Sequence, residues 1–387
     1  MVTTRPGRTT GSVAARAAAP RGSPWAERLA PGAVWVGGQA LTLLVVGLIA
    51  AARHRFAADV LWSWDGQHFL HIAQYGYTHS VAGHVDRSPA FFPGYPVAVW
   101  LVAAVTRLPF PVAGLVVSGV SGIAFAYGLA RLTRLSLGSS ARVGLLAVFA
   151  ASAGPLSIVL SMAYSEALFC ALAVWCLVFV LSHRWLGAAL LCAAAGTVRQ
   201  TGLALVVALL VAAIAATRQG LATWRAWVAV ALAPAGLLGY LGYVFATTGH
   251  LTGWFQAERN GWGTRFDFGR ATVAFVYHAL VSAPAVLDVA TVGVLGLAVA
   301  LLVGFCVVRV PSPIVVYSIV IVALDVFSDG IMNSKVRLLL PAFTLLIPFA
   351  RWLQSQKRAA RLGLLAGVVL VGTWYSAYAL LIYGYAI

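Results

Sequence analysis

Long apolar runs separated by short polar segments form the dominant pattern of the chain from residue 33 onward. Most of these runs approach the ~20 residues that an α-helix needs to cross the hydrocarbon core of a bilayer. The pattern predicts an all-α, polytopic membrane protein with about 11 transmembrane helices, within a range of roughly 10 to 13. Two further runs, 93–106 and 271–283, are too short to assign. The predicted spans are 33–52, 110–130, 143–163, 166–182, 185–198, 201–216, 226–247, 286–308, 313–327, 337–353 and 361–386.

Positively charged residues give the orientation of these spans, because loops rich in Arg and Lys stay on the cytoplasmic side of a membrane. Five arginines lie in the N-terminal segment 1–32. We therefore expect residues 1–32 to form a disordered cytoplasmic tail, and residues 33–387 to form the transmembrane domain of a multi-pass plasma-membrane protein. The same rule places the two longer polar segments, 53–92 and 248–270, outside the cytoplasm.

The composition excludes a soluble protein. Of the 387 residues, 61% are hydrophobic and 9% are charged, whereas soluble domains average roughly 45–50% and about 25%. The net charge of +16 would indicate a nucleic-acid ligand in a soluble protein. Here the basic residues lie between apolar runs, where the positive-inside rule accounts for them. We therefore expect the lipid bilayer, and no nucleic acid, as a partner.

The segment after the first predicted span combines aromatic, acidic and imidazole side chains, including Trp64, Asp65, His68 and His71. An interfacial aromatic belt accounts for Trp64 but not for Asp65. Helical spacing places Asp65 and His68 on one face. A carboxylate at the lipid–water boundary loses part of its solvation, which raises its basicity and suits a general base. Ligation of a divalent cation by Asp65 and His68 is the alternative.

The segment 91–96 places two prolines three positions apart. Proline does not continue a helix through its own position, because it lacks the backbone N–H. Two interpretations remain open. The segment is either the start of a helix at the membrane interface or a rigid aromatic wall beside Asp65, to which Tyr95 belongs.

Three charged residues lie at predicted helix ends within apolar surroundings: Glu166, Arg199 and Arg337. Glu166 would also complement the helix dipole in a first turn, so a capping role is the alternative for it. The two arginines lie on the side of the membrane where basic residues are disfavoured. A charge at the membrane edge is a functional hypothesis by default. Paired guanidinium N–H donors at such a place can hold a phosphate.

The segment 254–263 is aromatic, polar and glycine-rich, and it contains Gln256 and Trp262. It is either an interfacial loop or a sugar-recognition segment, because aromatic faces with nearby amides and carboxylates suit pyranose rings. The sequence has no P-loop, GxGxxG, GxSxG or HExxH pattern. A cytosolic nucleotide-sugar donor is therefore not expected.

Taken together and in this order, these motifs resemble those of the PIG-V-like mannosyltransferases of the GT-C superfamily, which use polyprenyl-phosphate sugars. The resemblance covers roughly residues 60–345. His68 and Gln200 depart from it, since the family usually has an aromatic residue and a proline at these positions. The matching segments are Trp64-Asp65-Gly66, 72–77, 91–96, 164–168, 195–202 and, less closely, 256–262 and 337–341.

The resemblance implies inverting transfer of a mannosyl unit from a polyprenyl-phosphate donor to a glycan or glycolipid acceptor outside the cytoplasm. It assigns the base to Asp65 and an acidic position to Glu166. It assigns the arginine positions to Arg199 and Arg337, which would hold the donor phosphate. Such a transfer needs a base for the acceptor hydroxyl and cations for the leaving phosphate.

The substrate contacts that we expect in addition come from Trp64, His68, Tyr95, Gln256 and Trp262. No cofactor is certain, and a divalent cation sharing Glu166 remains open. The main alternative function is a secondary transporter or flippase for a lipid-linked sugar. Transporters usually place their polar groups at the bilayer midplane on broken, repeat-related helices. A structural scaffold is the third possibility.

Overall fold

The computed structural model describes residues 24–77, 88–221, 223–282 and 285–383. Within these ranges the chain is mainly helical, and its only β-type pairing is an isolated bridge between Phe266 and Ser328. Residues 1–23 of the predicted tail and residues 78–87 of the predicted outer segment lie outside this description.

The α-helices number eighteen within the described residues. The first nine are α1 (Pro24–Ala52), α2 (Ala57–Val60), α3 (Asp65–Tyr75), α4 (Gly94–Thr106), α5 (Phe110–Leu137), α6 (Ala141–Ala153), α7 (Glu166–Leu181), α8 (Trp185–Gly196) and α9 (Leu203–Arg218). The others are α10 (Trp224–Leu232), α11 (Ala235–Thr248), α12 (Gly253–Trp262), α13 (Arg270–Val281), α14 (Val286–Val307), α15 (Ser312–Val326), α16 (Lys335–Leu338), α17 (Leu346–Ser355) and α18 (Arg358–Ala377). Short 3₁₀ segments lie at Ser88–Ala90, Ser157–Ser161, Gln200–Gly202, Met332–Ser334 and Leu340–Leu345, and a π segment at Tyr378–Ile382.

Six helical segments of the described chain are long and apolar enough to cross a membrane. A seventh is added if the pair Met332–Leu338 and Leu340–Ser355, bent by 55°, forms one span. The predicted all-α, polytopic membrane class is therefore confirmed. Several other predicted spans correspond to apolar helices of only 10–17 residues, such as α7 and α8, so the predicted number of about 11 spans stays a prediction.

The first helix is longer than the predicted span, because it begins at Pro24 rather than at residue 33. Proline at the first helical position has its φ preset for the helix and loses no backbone hydrogen bond there. Glu27 in the first turn complements the helix dipole. Residues 24–32 are therefore helical and not part of a disordered tail.

The two apolar runs that were too short to assign form α4 and α13, of 13 and 12 residues. Helices of this length rise only about 20 Å, less than the ~30 Å thickness of the hydrocarbon core. Tyr95 at the start of α4 donates a hydrogen bond to the Gly114 carbonyl near the start of α5. Thr272 of α13 donates one to the Val326 carbonyl at the end of α15.

Helix α7 lies at the centre of the bundle and packs against α5, α8 and α9. Its first residue, Glu166, is wholly buried. Close approach to α5 depends on Gly128, since a Cβ at this position would lie 2.3 Å from Val174 Cγ1. A helix surrounded by other helices needs no polar face, which explains its unbroken apolar sequence and places Glu166 inside the protein.

Helices α5, α7, α9 and α17 each end at or near a basic residue. The first residues of α7 and α9, Glu166 and Leu203, line a cavity at one end of the bundle. The basic residues are Arg134, Arg184, Arg218 and Arg351.

Candidate active site

Four charged side chains from distant parts of the chain meet at one end of the bundle. Asp65 and Glu166 are the first residues of α3 and α7. Arg199 lies in the turn between α8 and α9, and Arg337 lies in the short helix α16. We call these four residues the charged tetrad. They are separated by up to 272 positions in sequence.

The charged tetrad is held by alternating ion pairs. Arg337 Nη1 donates to Asp65 Oδ2 at 2.6 Å, and Arg199 Nη1 lies 2.9 Å from Glu166 Oε1. Arg337 Nε lies 3.7 Å from the same Glu166 oxygen. Two carboxylates and two guanidiniums balance in charge, which offsets the cost of burying them. Arg199 Nη1 also donates to Ser165 Oγ at 2.8 Å.

The turn before α3 is fixed against the segment before α7. Tyr164 OH donates to the Ser63 carbonyl at 3.0 Å, and Ala163 N–H donates to the Leu61 carbonyl at 2.8 Å. A Cβ on Gly66 would lie 3.2 Å from the Tyr164 ring. The guanidinium of Arg337 lies 5.4 Å from the centre of that ring, which is within the range of a cation–π contact. These contacts bring Asp65 next to Glu166.

A cavity of about 390 Å³ lies against the charged tetrad. Its volume falls within the range of sites that hold small organic ligands. Its wall is polar at the tetrad, aromatic along one side and aliphatic along another. The aromatic side includes Phe91, Phe92, Trp254, Phe255 and Trp262, and the aliphatic side includes Leu203, Leu237, Leu241, Ile321 and Leu324.

Both arginines of the tetrad retain unused hydrogen-bond donors. The Nε atoms of Arg199 and Arg337 are buried and donate no hydrogen bond within the described residues. A buried donor without a partner costs about 1–3 kcal/mol. An anionic ligand at the polar end of the cavity would satisfy these donors, since planar guanidinium groups match phosphate oxygens.

A divalent cation fits this arrangement less well. Within the described ranges, no three side chains among His, Cys, Asp and Glu form a group that could hold a metal ion. Asp65 and Glu166 each face a guanidinium, whose positive charge would repel a cation. The His68 ring stacks on Phe91, with 5.1 Å between ring centres.

Only some of the predicted substrate-contact residues line the cavity in the structure. Trp262 lines the cavity and meets the edge of the Phe91 ring, and His68 lies behind Phe91. Trp64, Tyr95 and Gln256 do not line the cavity. Tyr95 is wholly buried and donates to the Gly114 carbonyl, while Gln256 is exposed and donates to Thr252 Oγ1.

Both interpretations of segment 91–96 describe part of it. Phe91 and Phe92 line the cavity, and α4 begins at Gly94. The Gly94 N–H donates to the Thr197 carbonyl at 2.7 Å. This bond ties the aromatic wall to the turn that carries Arg199.

The cavity also contains ionisable residues that sequence reasoning missed. Asp325 and Lys335 are buried at its wall, and Lys335 Nζ donates to the carbonyls of Asp325 and Ser328. Glu258 on α12 also lines the cavity. Burial raises the pKa of Glu258 to about 7. Lys335 lies two residues before Arg337, at a predicted helix end. This position could have indicated from the sequence that Lys335 belongs to the same site.

A comparison with models of known protein families matches residues 39–225 to the PIG-V mannosyltransferase family. Over this range, which is slightly less than half of its length, the chain is similar to that family. It is therefore a glycosyltransferase of the mannosyltransferase type. The matched range contains Asp65, Glu166 and Arg199, whereas Glu258 and Arg337 follow it. No curated protein matches the sequence.

Proposed function

We propose that this mannosyltransferase moves a mannosyl unit, with inversion at C1, from a polyprenyl-phosphate donor to a glycan or glycolipid acceptor outside the cytoplasm. The observation that carries the proposal is the pair of buried Nε donors on Arg199 and Arg337 beside a cavity that also has aliphatic lining residues. A lipid-linked sugar phosphate likewise combines a negatively charged phosphate with an apolar lipid chain.

The walls of the cavity match the parts of such a donor. Its phosphate would lie between Arg199 and Arg337, and its sugar beside the aromatic edge formed by Phe91 and Trp262. The isoprenoid chain would lie along the aliphatic wall, which comes mainly from α9, α11 and α15. Leu203 in this wall is 41% exposed, so the wall continues to the lipid-facing surface of the protein.

The reaction is a single displacement. The acceptor oxygen attacks C1, and the bond between C1 and the phosphate oxygen breaks with its electrons passing to the leaving polyprenyl phosphate. Arg199 and Arg337 stabilise the charge of that phosphate. Asp65, which Arg337 holds in a fixed orientation, accepts the proton of the acceptor hydroxyl. Glu166 holds both arginines in place through its contacts with them.

The placement of basic residues supports an extracytoplasmic site in the plasma membrane. The basic helix ends at Arg134, Arg184, Arg218 and Arg351 lie away from the cavity. The positive-inside rule assigns such ends to the cytoplasm, so the cavity would open on the other side and the N-terminus would be cytoplasmic. Asp65 and Glu166 are the first residues of α3 and α7 rather than residues in the middle of long helices, which favours an enzyme over a transporter.

The direct test is incubation of membranes containing the protein with polyprenyl-phosphate mannose labelled in the sugar. We expect label to move into a glycan or glycolipid that forms only when the protein is present. Label that crosses the membrane while remaining on polyprenyl phosphate would instead identify a flippase. An unchanged label distribution would contradict both functions.

The orientation is tested with a cysteine at position 67. Gln67 is exposed on α3, and Cys306 is the exposed native cysteine among the described residues. In a background where Cys306 is replaced by Ser, we expect Gln67→Cys to react with a membrane-impermeant maleimide added outside the cell. Reaction only after the cytoplasmic side is opened would reverse the proposed topology.

A further inference from the structure

One face of α12 lines the same cavity as the charged tetrad. Trp254, Glu258 and Trp262 are spaced four residues apart, which places them along one side of a helix. All three line the cavity. The carboxyl of Glu258 therefore faces the same space as Asp65, Arg199 and Arg337.

Contacts at both ends of this face hold α12 in position. Trp254 Nε1 donates to the Ala90 carbonyl at 3.3 Å, and its ring meets the Phe92 ring. Trp262 meets the Phe91 ring edge-on, with 5.3 Å between ring centres. Glu258 lies between the two tryptophans, so its position is set by packing rather than by a polar partner.

Glu258 differs from the two carboxylates of the tetrad in its partners. Asp65 is bound by Arg337 and Glu166 by Arg199. No hydrogen bond or ion pair to Glu258 occurs in the described part of the chain, and its side chain is half-buried. Both of its carboxyl oxygens are therefore free to meet a ligand.

The electrostatic surroundings of Glu258 also suit proton transfer. Burial is the main cause that raises the pKa of Glu258 to about 7, and the negative charge of Asp65 adds to it. Arg199 and Arg337 act in the opposite sense. The neighbouring elements α11 and Ser88–Ala90 carry no charged side chain. A group with a pKa near the working pH exchanges protons most readily.

We propose that Glu258 is a further catalytic residue, the carboxylate that finally holds the proton removed from the acceptor. This inference rests on the mannosyl transfer proposed above. The acceptor O–H bond breaks as the bond to C1 forms, and the proton passes from Asp65 to Glu258 through water. The phosphate leaves with the electrons of its bond to C1. Glu258 retains partial exposure, so the proton then reaches the outer solvent and restores the carboxylate.

The predicted pH dependence follows from the state in which Glu258 must begin. The residue accepts a proton, so it must start ionised, and the transfer rate should rise with pH through about 7. For Glu258→Gln we expect at least a ~10-fold slower rate, since a positioned proton acceptor contributes typically 10²–10⁴-fold. In this variant the increase of the transfer rate near pH 7 should also disappear. Glu258→Asp should retain the rise at a reduced rate.

The matched control is Glu27→Gln, which removes the same charge from an exposed position on α1. It should leave both the rate and the pH profile unchanged. A Glu258→Gln enzyme with the wild-type rate and profile overturns the role of Glu258 alone. A wild-type protein that transfers no mannose overturns the proposed function, and this role with it.

A second measurement needs no donor. A membrane-permeant carbodiimide reacts with protonated carboxyl groups, and mass spectrometry of the full-length protein's peptides locates the adduct. Labelling of Glu258 should be half-maximal near pH 7. Asp65→Asn should move the midpoint for Glu258 to lower pH, because it removes a negative charge that raises this pKa. A midpoint at the ordinary value of a glutamate side chain, about 4.3, would overturn the inference.

Discussion

Replacing Asp65 with Asn should reduce mannosyl transfer to below about 1% of the wild-type rate, because a positioned general base contributes typically 10²–10⁴-fold. The amide is nearly the same size but cannot take the proton. It also ends the 2.6 Å ion pair with Arg337. The Asp65 side chain is 18% exposed, and Arg337 keeps Glu166 as a neighbour, so we expect the protein still to insert and fold. The measurement is the initial rate of label transfer in membranes with matched protein levels.

Asp59→Asn provides the control for this experiment. Asp59 lies in the same outer segment, on α2, and its side chain is exposed. The substitution should leave transfer at the wild-type rate. Normal activity of the Asp65→Asn protein would remove Asp65 from the mechanism, whatever the control shows.

Replacing Arg337 with Gln should have the second large effect, on both activity and stability. Arg337 is the guanidinium that contacts both carboxylates of the tetrad. Its removal leaves Asp65 and Glu166 with Arg199 alone, and breaking a buried ion pair costs about 3–5 kcal/mol. Loss of a donor that stabilises developing charge typically costs about 10²–10³ in rate. We expect both a lower unfolding temperature in detergent and a loss of transfer of that size.

Arg337→Lys separates the two effects. Lysine retains the positive charge but lacks the planar fork that lets one side chain bind a carboxylate and a phosphate together. The unfolding temperature should therefore recover most of its loss, while transfer stays at least ~10-fold below wild type. The control is Arg351→Gln at an exposed basic helix end, which should change neither quantity. Full activity in either Arg337 variant would exclude this residue from phosphate binding.

The sequence alone allowed the prediction of the fold class and of the residues in the tetrad. Glu166, Arg199 and Arg337 each interrupt an apolar pattern at a predicted helix end, where an uncompensated charge is costly. Asp65 lies beside Trp64 in the segment after the first predicted span. A shared functional site explains why charged residues lie at these positions. The family resemblance assigned them roles that the variants above can test.

The sequence did not predict how Tyr95 and Glu258 are placed relative to the cavity. Tyr95 belongs to a motif that matches the family, yet it is wholly buried and its hydroxyl binds the backbone of α5. Glu258 lies among polar residues in a segment for which the sequence leaves open an interfacial loop or sugar recognition. Only the packing of Trp254 against Phe92 turns its carboxyl towards the cavity.

Apolar periodicity and length thus determined that the chain folds as helices in a membrane, because unpaired backbone groups are too costly in hydrocarbon. Charge placement determined which residues needed partners. The tertiary structure decided which partners they took, since the Asp65–Arg337 pair joins positions 272 residues apart. Such a pairing depends on how α3, α7 and the bent segment at α16 pack together, and no local pattern encodes that geometry.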